Sequence, residues 1–119
     1  MQVQPISNTT GFKGHYIYDY NLSINQMRNF RLALKNVDIY DKKYDIRIFN
    51  DISKDNLCKS GEHFVCVRVE NNDKQKNIFI NPKEQRKLKI IHAKVLQVAK
   101  EYDDKYNTLW GKMKNLFSI

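Results

Sequence analysis

The last third of the chain, from Asn81 to Phe117, most constrains what this sequence can fold into. Leu88, Ile91, Val95, Val98, Ala99, Tyr102, Tyr106, Leu109, Met113, Leu116 and Phe117 follow one another at spacings of mostly three and four. At the helical period they share an arc roughly 100° wide, the signature of one amphipathic helix. Lys83, Lys87, Lys94, Lys105 and Lys112 run along one edge of that stripe, and Arg86, Lys89, Lys100 and Lys114 along the back. The start is marked as well: Asn81 suits an N-cap, Pro82 the first helical position, and Glu84 completes a capping box. The stripe does not drift, so its period is nearer 3.6 than 3.5, which argues against a long left-handed coiled coil.

Such a helix would be about 54 Å long, against about 35 Å across for a domain of this size. It therefore either breaks, where Asp103, Asp104, Asn107, Thr108 and Gly111 are poor helix formers, or projects and buries its far end on a partner.

The preceding residues supply the sheet for this helix to pack on. The polar segment 1–14, with Pro5 and Gly11, reads as a flexible N-terminal arm, and 15–119 as a single α+β domain. The run Asn8-Thr9-Thr10-Gly11-Phe12-Lys13-Gly14 resembles short leader tags at the starts of bacterial proteins; it implies no fold or activity. His15 to Tyr20 alternates as a first strand with Tyr16, Tyr18 and Tyr20 on one face. Ser23 and Gln26 form a capping box, and Ile24, Met27, Phe30, Leu34 and Val37 the inner stripe of a short helix. Strands follow at Tyr44–Phe49, His63–Val69 and Lys76–Ile80, the last two joined by a turn at Asn71–Lys74. The order is β-α-β-β-β-α, with the last three strands in an antiparallel meander. Alternation gives an aliphatic face of Tyr44, Ile46, Ile48, Val65, Val67, Val69, Ile78 and Ile80 for the helices. Leu34, Leu88, Ile91 and Val95 should join it in one core. The opposite face carries Arg47, Phe49, Phe64, Cys66, Arg68 and Phe79.

Twenty-one Lys and Arg against thirteen Asp and Glu give a net charge of +8, which favours anionic partners. No apolar run is long enough to span a bilayer, and the N-terminus lacks the basic and apolar regions of a secretory signal, so a cytoplasmic location is expected.

Two functional classes compete. In the first, Leu109, Trp110, Met113, Leu116 and Phe117 crowd the last two turns of the long helix and bind a protein partner or a second copy, as in a homodimer. In the second, the chain binds RNA or DNA. Lys83, Arg86, Lys87 and Lys94 would meet phosphates, and Arg47, Arg68, Phe49 and Phe64 would offer cations and rings on the sheet. The α-β-β-β-α part of the order resembles the double-stranded-RNA-binding fold, but the family's local motifs are not recognisable and the extra strand and long last helix depart from it.

Catalytic and cofactor motifs do not stand out: there is no Gly-rich phosphate loop, no Gly-x-Ser-x-Gly and no His-Glu-x-x-His. A cofactor is therefore not expected. Cys58, His63, Cys66 and His92 match no standard zinc spacing. The element order is near that of some small bacterial ribonuclease toxins, and His15, His63 or His92 could supply acid or base; a ribonuclease is a further alternative.

Overall fold

The computed structural model describes residues 13–53 and 62–107. The elements are β1 (Tyr16–Tyr18), α1 (Ile24–Leu34), β2 (Asp45–Asn50), β3 (Val65–Asn71), β4 (Lys74–Ile80), a 3-10 turn (Glu84–Arg86) and α2 (Leu88–Tyr106). The protein is α+β, with a four-stranded sheet in the order β1-β2-β3-β4.

The three consecutive strands form the expected antiparallel meander, Ile48 facing Val67 and Val67 facing Ile78. The β3–β4 turn is tight, and Asn72 at its corner takes a φ of 57°, a left-handed conformation that asparagine tolerates better than most residues. β1 makes the sheet mixed. It lies parallel to β2, Tyr16 facing Ile46 and Tyr18 facing Ile48, after a crossover through α1. Tyr16 and Tyr18 therefore share the aliphatic face and pack against the core, and the Tyr16 hydroxyl donates to the Val37 carbonyl at 2.9 Å. Just upstream, Gly14 is buried and its N–H donates to the Tyr40 carbonyl at 3.2 Å; a Cβ there would press on the carbonyl oxygens of Ile39 and Tyr44.

Both helices pack on the aliphatic face. Phe30 and Leu34 from α1, Ile91, Val95, Val98 and Tyr102 from α2, and Tyr44, Ile46, Ile48, Val65, Val67, Val69 and Ile80 from the sheet and its entrance make one core. Each fully buried aliphatic side chain there contributes roughly 1.5–3 kcal/mol.

The long helix departs from expectation at its start. The Asn81 capping box forms, with Glu84 N–H donating to Asn81 Oδ1 at 2.9 Å and Asn81 N–H to Glu84 Oε1 at 3.1 Å. It caps a single 3-10 turn, however. Lys87 is extended (φ −115°, ψ 102°), and the α-helix begins only at Leu88. Leu88, expected in the core, is the first residue of α2 and is 40% exposed, while the buried stripe starts at Ile91. Ile24 and Tyr20 are likewise exposed: Ile24 is the first residue of α1, and Tyr20 lies in the turn after β1. α2 ends at Tyr106, where the Asn107 N–H still donates to the Asp103 carbonyl at 2.8 Å.

Candidate functional site

Strand register builds the outer face of the sheet, the side turned away from α1 and α2. Side chains alternate along each strand, so the neighbours of the buried Ile46, Ile48, Val65, Val67 and Val69 point outward. Phe49, Cys66 and Phe79 face one another across β2, β3 and β4 in one row. Phe49 and Phe79 are two strand spacings apart, about 9–10 Å. Phe64 sits beside this row at the same end of the sheet, its carbonyl accepting from the Asp51 N–H at 2.8 Å. The next row is Ile17, Arg47, Arg68 and Asn77, and beyond it come Asp45, Glu70 and Gln75.

The rows differ in chemistry. Phe79 is 40% exposed, while Phe49 and Phe64 are half-buried. The Arg68 guanidinium lies 5.0 Å over the Phe49 ring and donates to Asn77 Oδ1 at 2.8 Å, so it is held against the aromatic row. Cys66 is sealed among these groups. Burial pushes its thiol up to about 11, nearby Asp51 adding to the effect and Arg68 opposing it. Arg47 instead pairs with Glu70 at 3.3 Å.

The helix-side cations divide in the same way. Arg86 pairs with Glu62 at 3.1 Å. Lys94 pairs with Glu84 at 2.9 Å and donates to the Phe79 carbonyl at 3.1 Å, tying α2 to the edge strand β4. Burial works to raise the Glu84 carboxyl, but the bonds from Lys94 and Asn81 and the charges of Lys94 and Lys87 outweigh it and hold it below its ordinary value. Lys83 and Lys87 are exposed, and like Arg68 they have no acidic partner within 4 Å among the described residues. The expected cations are therefore of two kinds: Arg47, Arg86 and Lys94 are engaged by carboxylates, and Arg68, Lys83 and Lys87 are available.

Compared with known proteins, the chain matches no family model, no curated protein and no solved structure. Its chemistry is therefore argued from its own side chains. Leu109, Trp110, Met113, Leu116 and Phe117, the expected association surface, lie outside the described residues, as does Cys58. The three histidines each line a different cavity, His63 at the end of β3, His15 beside β1 and His92 on α2. Among the described residues no three metal-binding side chains cluster.

One polar network joins residues far apart in the sequence. Gln85, the middle residue of the 3-10 turn, is buried. Its Nε2 donates to the carbonyls of His63 and Ile80, both at 3.0 Å, and its Oε1 accepts from Gln26 Nε2 at 2.9 Å. Gln26 also exchanges bonds with Asn50, which in turn bonds Asn21. These amides join α1, the end of β2, the start of β3 and the 3-10 turn. They are satisfied by one another, so they form a structural floor beneath the cavity of about 640 Å³ that Arg28, Glu62, His63 and Arg86 also line.

Proposed function

We propose that this chain binds single-stranded nucleic acid on the outer face of its sheet. The observation that carries the reading is the register of Phe49 and Phe79 across Cys66 at one end of that face, with Phe64 just before β3 and the Arg68 guanidinium 5.0 Å over the Phe49 ring. Aromatic rings accept the faces of unstacked bases whatever their sequence, and a guanidinium in the adjoining row meets the phosphates between them. Lys83 and Lys87, exposed after the end of β4, extend the positive surface along the strand's path. The net charge of +8 supports an anionic partner of this kind.

Fluorescence anisotropy with labelled, unstructured RNA and DNA oligonucleotides at low salt tests the reading. Phe79→Ala and Phe64→Ala should each weaken binding by about 1–3 kcal/mol per lost stack and leave the salt dependence unchanged. Replacing Lys83 and Lys87 by Gln should reduce the slope of log affinity against log salt by about 0.7 per lost phosphate contact. Folded protein that binds neither oligonucleotide at low salt, or binds equally well without Phe64 and Phe79, would overturn it.

A further inference from the structure

The outward face of α1 is a second unusual surface, on the other side of the molecule. The helix contains no acidic residue; Arg28 and Arg31 lie within it and Lys35 caps its end. Its inner stripe, Met27, Phe30 and Leu34, is committed to the core. Ile24, Arg28, Arg31, Leu32 and Lys35 fall in an arc of roughly 100° turned away from that core. The apolar members stand in solvent: Ile24 is 81% exposed, Leu32 50%, and Tyr20, just before the helix, 95%. Arg28 and Lys35 have no ion-pair partner among the described residues, and Arg31 lies 5.3 Å over the Tyr18 ring.

This surface combines two features that are seldom useful together. Phosphates of a nucleic acid would be met by the cations alone and would leave Ile24, Leu32 and Tyr20 with nothing to bury against. The interface of an anionic bilayer uses both: cations sit among headgroups, aliphatic side chains enter the acyl boundary, and tyrosine favours the level between them. We propose that α1 docks this face on the surface of a bilayer containing anionic phospholipid, with Ile24, Leu32 and Tyr20 inserted and Arg28, Arg31 and Lys35 on the headgroups. No helix among the described residues is long and apolar enough to cross a membrane. The surface is formed by α1 with its neighbours Tyr20 and Lys35 and is independent of the sheet face.

Co-sedimentation of the full chain with phosphatidylcholine vesicles, with and without phosphatidylserine, tests it. The protein should pellet with the anionic vesicles only, and less so as salt rises. Ile24→Ser with Leu32→Ser should weaken that binding about tenfold or more, and Arg28→Gln with Lys35→Gln by a similar factor. These side chains are exposed, so circular dichroism of the variants should match the parent. Phe79→Ala should pellet like the parent, which separates this result from the sheet-face reading. Absence of binding to anionic vesicles overturns the proposal. So does anionic-vesicle binding that survives loss of Ile24 and Leu32, since charge alone then suffices. Loss of oligonucleotide binding rather than vesicle binding in the α1 variants would reassign the helix to nucleic acid and overturn it too.

Discussion

Tyr44 and Tyr102 meet edge to face at 5.3 Å beneath the sheet. Burial pushes the Tyr44 phenol up to about 12, and the nearby Asp103, Asp41 and Tyr102 act in the same direction. Tyr16 is raised still further, again mainly by burial. A phenol whose folded pKa lies above its unfolded value of 10.0 keeps its proton longer in the folded state. Stability is therefore intact below pH 10 and falls as pH climbs from there toward the folded value, by up to about 1.4 kcal/mol per pH unit for each such phenol. Urea unfolding across the alkaline range should show this decline, and Tyr44→Phe should make it shallower while changing little at neutral pH. An equal alkaline slope in the variant would remove Tyr44 from the account. The residues that the sequence misplaced have one physical cause. Leu88 and Ile24 are the first residues of their helices, and Tyr20 lies in the turn beyond the end of β1. Periodicity assigns a face only where the regular backbone already runs, and a terminal residue can lie beyond the neighbouring layer.

At the scale of elements, the 3-10 turn shows both what was legible and what was not. The Asn81–Glu84 box was readable because its partners are three residues apart. The interruption behind it was not, because Gln85 is held by groups distant in sequence: Gln26 from α1 and the carbonyl of His63 before β3. Those bonds fix the turn to the sheet end, and Lys87 takes the extended conformation that separates the turn from α2. Gln85→Leu would keep much of the volume but leave the His63 and Ile80 carbonyls and a Gln26 donor without their partner. A cost of about 2–3 kcal/mol is expected from these unmet groups, seen as a lower urea midpoint at an unchanged m-value. A loss below about 0.5 kcal/mol, the range of ordinary surface changes, would show that water replaces the amide without penalty.

Across the whole molecule, alternation in the strands was enough to assign the two faces and the meander. It did not reveal that β1 is the parallel neighbour of β2, because a period of two reports which side a residue faces and not which strand lies beside it. The same holds for the outer face. Its Phe and Arg rows were legible, but the division of its cations was not: whether Arg47 or Arg68 finds a carboxylate depends on side chains brought in from other strands.

Cys66 gives that face a further property. Its sulfur is shut beneath the aromatic row, and its raised pKa keeps it in the unreactive thiol form near neutrality. An alkylating reagent can therefore capture it only during moments when β3 and its neighbours breathe apart. With Cys58 replaced by serine, the capture rate becomes a clock for the opening of the central strands. It should be slow in buffer and should quicken in step with the unfolded population as urea is added. Capture at the rate of a free thiol would mean that the rings part without the sheet unfolding.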